Sequence, residues 1–224
     1  MALSISYGIS VQKDKEDLNE TINIAETDLY KNKLFESSSH RNESIKTILN
    51  TLKTKDVYSE VHSNRVADMC KQMGKKMGMT KQELNLLTMI SNLHDIGKIS
   101  IDDHILNKPG KLTEEEWKIM KRHPETGYRI LSSLPEYGEI AEDILSHHER
   151  FDGKGYPRGL KGDNIPIRAR LIAVIDAYDA MTTDRPYRKK MSHEEAIKEL
   201  LDNKGTQFDP KLVDIFMSIF SKKQ

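Results

Sequence analysis

The 224 residues suit one large domain, or a domain with a fragment attached, at roughly 100–200 residues per domain. Lys and Arg total 35 and Asp and Glu total 35, so the formal charge is zero and no global basic field draws the chain to DNA or to a membrane surface. No apolar run approaches the roughly 20 residues of a bilayer span, and the single cysteine, Cys70, excludes an internal disulfide framework, so a soluble cytoplasmic protein with no DNA partner and no membrane span is expected.

In chain order, Leu3, Ile5 and Tyr7 alternate with polar residues, the period of a half-buried strand. Between residues 16 and 35, Leu18, Ile22, Ile24, Ala25, Leu29 and Leu34 recur by turns and predict a helix. The polar run Glu36-Ser-Ser-Ser-His-Arg-Asn42 reads as a linker. One strand and one helix cannot bury a core by themselves, so residues 1–35 look like the remnant of a larger domain. The segments Leu3-Ser-Ile-Ser-Tyr-Gly-Ile-Ser and Ala25-Glu-Thr-Asp-Leu-Tyr-Lys-Asn-Lys33 resemble the closing strand and helix of GGDEF (diguanylate cyclase) domains, without that family's signature loop or cyclase site.

Beyond a linker at 36–43, residues 44–222 read as an all-α domain. Residues 57–77 carry Val66, Met69, Met73 and Met77 on one stripe. Thr80-Lys-Gln-Glu83 is a capping box opening an apolar helix through Leu93, and Thr113-Glu-Glu-Glu116 and Ser192-His-Glu-Glu195 open two more. Pro124 suits a helix start, a further helix spans 137–148, and the glycines from Gly153 to Gly162 mark a loop. Pro166 starts a long helix to about Met181, and a last one begins near Pro210.

The chemistry lies in polar residues on apolar faces. His62 precedes Val66, Met69 and Met73 by four, seven and eleven residues and shares their stripe, as a ligand or as a core histidine. His94 and Asp95 end a helix that is apolar almost all round; a carboxylate there needs a metal or a hydrogen-bonded partner such as the neighbouring imidazole. Asp176 interrupts the small-residue stripe Ala169, Ala173, Ala180 and needs a cation, either a metal or an Arg or Lys. His147 and His148 follow Ile144 and Leu145 closely enough to lie near the buried side. With His123 at a helix start, these make five histidines and two aspartates without a thiolate, a set suited to Fe, Mn, Co, Ni or Zn. Seven ligands exceed one tetrahedral site, whereas a bridging carboxylate such as Asp95 fits a binuclear centre. Two ions about 3.5–4 Å apart typically hydrolyse phosphoesters. Lys98 would return to the side of His94 if the helix continued past Gly97; otherwise it is a solvated lysine at a helix end. Within the basic run 184–190, Arg185 and Arg188 either clamp phosphate oxygens or form solvated surface.

The motifs Asp56-Val-Tyr-Ser-Glu-Val-His-Ser-Asn-Arg65, His94-Asp-Ile-Gly-Lys98, Asn107-Lys-Pro-Gly-Lys-Leu-Thr-Glu-Glu-Glu-Trp117 and His123-Pro occur in order. His147-His-Glu-Arg-Phe-Asp-Gly-Lys-Gly-Tyr-Pro157, Asp176-Ala-Tyr-Asp-Ala180, Asp184-Arg-Pro-Tyr187 and Gly205-Thr-Gln-Phe-Asp-Pro210 follow them. Over residues 44–222 the chain resembles the HD-GYP subgroup of the HD phosphohydrolases. The resemblance implies an HD-domain helical bundle whose binuclear centre hydrolyses cyclic di-GMP to the linear dinucleotide and in some members on to GMP. It implies that His62, His94, Asp95 and Asp176 hold one ion. A second, shared through Asp95, would be held by His123, His147 and His148. Fe or Mn are the expected ions. It further implies that Lys98 touches the scissile phosphate and helps to protonate the leaving oxygen, with Tyr156, Arg185 and Arg188 positioning the substrate; Tyr156 would otherwise pack its loop. Where some members carry a glutamate linked to a third ion, this chain has Tyr58, so two ions are expected. Two other readings stay open: a cyclic-dinucleotide sensing or partner-binding module with little turnover, and a phosphodiesterase for a mixed cyclic GMP–AMP dinucleotide. A GGDEF-type signalling partner and a homodimer are also left open.

Overall fold

Three helix starts are fixed by reciprocal hydrogen bonds at the expected places. Thr80, Thr113 and Ser192 accept from the backbone N–H three residues on, while Glu83, Glu116 and Glu195 reach back to the cap N–H. The structure, a computed structural model, describes residues 8–11, 18, 21, 22, 25, 39–55, 59–184 and 189–221. In chain order the helices are α1 (Ser39–Lys55), α2 (Ser59–Lys76), α3 (Lys81–Leu93), α4 (Asp103–Leu106) and α5 (Glu114–Met120). They continue as α6 (His123–Ser132), α7 (Gly138–Ser146), α8 (Ile167–Thr182), α9 (His193–Asp202) and α10 (Pro210–Phe220). Among the described residues there is no strand, only an isolated bridge between Lys204 and Phe208, so the expected all-α class holds there.

The chain divides into two compact units, Met1–Asn50 and Thr51–Gln224. In the first, Leu18, Thr21, Ile22 and Ala25 are helical, within the helix expected over residues 16–35. The strand expected at Leu3, Ile5 and Tyr7 lies outside the described residues, as does most of the GGDEF-like segment. The helix α1 begins at Ser39, so the second half of the run expected as a linker is helical. Once a turn has nucleated, adding residues at its N-terminal end costs little, even without an apolar face of their own.

In the second unit α2 and α3 pack closely along Gly74, where a Cβ would come within 2.6 Å of the Leu84 side chain. Val66, Cys70 and Met73 on α2 and Leu87 and Ile90 on α3 are fully buried, whereas Met69, expected on the same stripe, is only partly covered. Ala169, Leu171, Ile172, Val174 and Ile175 are all inaccessible, so α8 is covered on nearly every side as the central helix of the unit. It packs against α2, α7, α9 and α10.

One detail of the backbone positions the site. The helix α3 stops at Leu93, and the chain turns through a 3-10 segment, Ile96–Ser100, that lies against α6. A Cβ on Gly97 would sit 1.9 Å from the His123 carbonyl oxygen and 2.6 Å from the Gly127 nitrogen. Only glycine permits that approach, which carries Asp95 to the N-terminal end of α6.

Candidate metal centre

Six of the seven residues of the centre come from helix ends, and only Asp176 from within a helix. His62 comes from the first turn of α2, His94 and Asp95 from the end of α3, and His123 from the first residue of α6. His147 and His148 follow α7, and Asp176 lies in the third turn of α8. The seven expected ligands converge: His62 Nε2 is 3.2 Å from Asp176 Oδ1, His94 Nε2 3.4 Å from Asp95 Oδ2, and His123 Nε2 3.4 Å from Asp95 Oδ1. The ring centroids of His94 and His147 are 5.4 Å apart, and those of His147 and His148 4.1 Å. Two trios have donor atoms close enough to share an ion: His62, His94 and Asp95, and His123, His147 and His148.

The outward nitrogens of four rings are tied down. His94 Nδ1 is 2.7 Å from the Ser91 carbonyl oxygen, His123 Nδ1 2.8 Å from that of Met120, and His147 Nδ1 2.6 Å from that of Ile144. His62 Nδ1 is 2.7 Å from Asp179 Oδ2. Carbonyls and carboxylates only accept, so each Nδ1 carries a proton; His94, His123 and His147 then present an Nε2 lone pair inward, whereas His62, with a carboxylate at each nitrogen, donates from both.

That inward convergence is costly without a cation. His94 Nε2 is buried and has no hydrogen-bond partner: with the proton on Nδ1, it and the Asp95 oxygen 3.4 Å away are both acceptors. His123 Nε2 and His147 Nε2 face each other at 3.3 Å. A hydrogen bond between them needs an additional proton on one ring. Burial and the neighbouring His148 push His123 down to about 3, and burial with the surrounding imidazoles puts His147 well below its ordinary value. Burial also lowers His148, to about 4. Neutral imidazoles with converging lone pairs fit a divalent metal.

The carboxylates have the opposite character. Burial would raise Asp95, but the Lys98 ammonium, Nζ at 2.6 Å from Oδ2, and the adjacent imidazoles hold it well below the usual carboxylate range. Asp176 is likewise lowered, His62 outweighing burial. His62 is lifted to about 9: its burial is overcome by hydrogen bonds to Asp176 and Asp179. The expected return of Lys98 to the His94 side is made by the 3-10 turn and not by a continuing helix.

A cleft of about 620 Å³ opens on this cluster, lined by His62, Asp95, Lys98, His123, His148, Tyr156 and Asp176 among others. The Tyr156 ring stacks at 5.0 Å from His148 and lies under Lys121 Nζ at 5.6 Å. Its loop is held by buried Glu149, whose two oxygens accept from the backbone N–H groups of Arg158 at 2.7 Å and Leu160 at 3.0 Å. Arg185, Arg188 and Tyr58 lie outside the described residues; Asp184, the residue before Arg185, lines the cleft.

Two residues of this site were not singled out from the sequence. Buried Asp179 orients His62 and is itself gripped by Arg65, Nε to Oδ1 at 2.6 Å and Nη2 to Oδ2 at 2.8 Å. Arg65 Nη2 also donates to Thr183 Oγ1 at 2.9 Å. The signal was available in spacing: Asp179 follows Asp176 by three, and Arg65 follows His62 by three, each pair on one helical face.

Against known proteins, residues 46–212 match the HD-domain family. The chain belongs to that family. It is 43% identical over 175 residues to a cyclic di-GMP phosphodiesterase of Thermotoga maritima, covering 77% of this chain and 48% of the relative. It is 38% identical over 177 residues to the 3'3'-cGAMP-specific phosphodiesterase 2 of Vibrio cholerae, covering 78% of this chain and 34% of that one. The chain thus spans about half the length of these relatives or less. An HDG"Y"P protein from Bdellovibrio bacteriovorus has the same fold, with a TM-score of 0.60 at 17% identity over 95% of this chain and 75% of that one.

Proposed function

We propose that this chain is a metal-dependent phosphodiesterase that hydrolyses cyclic di-GMP to the linear dinucleotide at a pair of divalent ions. The observation that carries this reading is the pair of donor trios meeting at the two oxygens of Asp95. His62, His94 and Asp176 would hold one ion and His123, His147 and His148 the other, with Asp95 common to both. The all-nitrogen and oxygen donor set supports Fe or Mn over a metal that prefers thiolate. A bound ion pair supplies Lewis acidity and an activated water at neutral pH.

The chain's own residues supply the rest. Hydrolysis adds water across one P–O bond, and the departing ribose oxygen needs a proton. Lys98, partly buried at the cleft side of Asp95, is the ammonium placed to give it and to face the phosphate charge. Tyr156, on a loop fixed by Glu149, forms the wall beside His148, and Arg185 and Arg188 follow Asp184 in sequence with forked donors suited to phosphate. The relative named for 3'3'-cGAMP supports a second reading, a mixed cyclic GMP–AMP substrate.

Anaerobic assays with Mn²⁺ or Fe²⁺ and each cyclic dinucleotide, read by product chromatography, test both. Cleavage of cyclic di-GMP at the higher kcat/KM is expected; preference for the mixed dinucleotide would favour the second reading. No turnover by protein carrying two ions per chain would overturn both.

A further inference from the structure

The cleft has two walls of opposite character. One carries the histidine and aspartate cluster with Lys98; the other is apolar, formed by Trp117 and Met120 one turn apart on α5 and by Val61 on α2. The helix α5 buries no residue at all, although it carries Trp117, Ile119 and Met120. Trp117 is 47% exposed and Val61 59%. A solitary exposed apolar side chain means little. Here the indole stands in a concave wall continuous with a polar centre that lies deeper, the composition of a ligand pocket rather than of a packing defect.

The position of Trp117 is also fixed. Glu116 closes the capping box with Thr113 and receives Lys108 Nζ at 2.8 and 2.6 Å on its two oxygens. At the other end, the Met120 carbonyl accepts from His123 Nδ1, so the helix bearing Trp117 is bonded directly to a ring of the cluster. Lys111, on the loop before α5, lines the same cleft and adds positive charge at the apolar wall.

We propose that Trp117 is the stacking platform for one nucleobase of the dinucleotide whose phosphate is taken by the histidine and aspartate cluster; this rests on the function proposed above. A flat apolar ring beside cationic groups is what a purine nucleotide needs, a π-face for the base and charge for the phosphate. Stacking accepts any base, so Trp117 contributes affinity to guanine and adenine alike and does not select between them.

Trp117 is the only tryptophan in the chain, so intrinsic emission reports on it alone. Titrating the manganese-loaded protein with 5′-GMP should quench that emission saturably. In steady-state hydrolysis of cyclic di-GMP, Trp117→Leu keeps apolar bulk without the ring and should raise KM about 10–100-fold, with kcat within about threefold and metal content unchanged. Trp117→Phe should stay within about threefold of wild type in both constants. Equal KM values for the Leu and Phe variants, or unquenched emission at millimolar 5′-GMP, would overturn the proposal. Should the wild type turn over neither cyclic dinucleotide, the functional reading fails on its own. The emission titration would still decide the platform: quenching retains it and a flat response removes it.

Discussion

Buried aspartates occur in two regions of this molecule and are neutralised in two different ways. At the α7, α8 and α10 end, Asp143 faces Arg168, with Nη2 to Oδ2 at 2.9 Å, and Asp209 faces Arg170 at 2.7 Å. Asp209 also accepts from the Lys211 N–H at 2.8 Å, capping α10. At the α2, α3 and α6 end, Asp95 and Asp176 meet imidazole nitrogens, with one lysine on Asp95. A guanidinium fills a carboxylate's needs permanently, whereas an imidazole held with its lone pair inward does not. In the first arrangement each acid has a fixed guanidinium, although Asp143 Oδ1 and Arg170 Nε are buried without a partner. In the second, His62 pairs with Asp176, while His94 Nε2 is left without a partner beside Asp95, a place that suits a further cation. Asp95 is buried much as Asp143 and Asp209 are, while Asp176 is partly covered at the cleft, so for Asp95 it is the kind of partner that separates a structural acid from a candidate ligand.

The contrast breaks most sharply at Asp95. Asp95→Ala should lower turnover of cyclic di-GMP by about 1,000-fold or more, the equivalent of several kcal/mol of lost charge stabilisation, with the helical circular dichroism spectrum retained. Arg168→Met should do the reverse. Leaving Asp143 buried without its partner should cost about 3–5 kcal/mol of stability in urea unfolding, while the folded fraction keeps its specific activity. If Arg168→Met abolished activity without destabilising, or Asp95→Ala destabilised without touching activity, the two regions would not differ as described.

Asp179 sharpens the comparison because it belongs to both kinds, paired with Arg65 and also orienting His62. Asp179→Asn should weaken metal affinity by about 10–100-fold, measured by competition with a chelating dye, and leave the fold intact. The smallest effect is in pH. In the metal-free protein, His123 and His148 are depressed to about 3 and 4 from an ordinary 6.5, so between pH 6.5 and 4 the unfolded chain binds more protons and stability falls on acidification. His62 is raised to about 9, so its contribution is fully present below 6.5 and is lost as pH rises through 9. The urea midpoint of chelator-treated protein should therefore peak near pH 6.5. A midpoint that rises steadily from pH 5 to 9 would contradict the assigned proton positions.

Much of this was legible in the sequence because its signals are local. The three capping boxes, Pro166 and Pro210 mark helix starts through contacts within one turn. His62 and Asp176 stood out as polar residues within apolar or small-residue stripes, and the order of the motifs supplied their common identity. What escaped was tertiary. No spacing rule says that Gly97 lets a 3-10 turn touch the backbone of α6, although that contact brings Asp95 to His123. Spacing puts Asp179 on the face of Asp176 and Arg65 on that of His62, but that the two pair with each other across 114 positions is a tertiary fact that no local pattern carries. Ser39 reads as linker because a polar run at a helix start has no periodicity to betray it.

The central claim is that two ions share Asp95. Anomalous diffraction from crystals grown with Mn²⁺ tests it most directly. Two peaks about 3.5–4 Å apart, one on each side of the Asp95 carboxylate, are predicted. A single peak, or two peaks with Asp95 bound to neither or to only one, would contradict it.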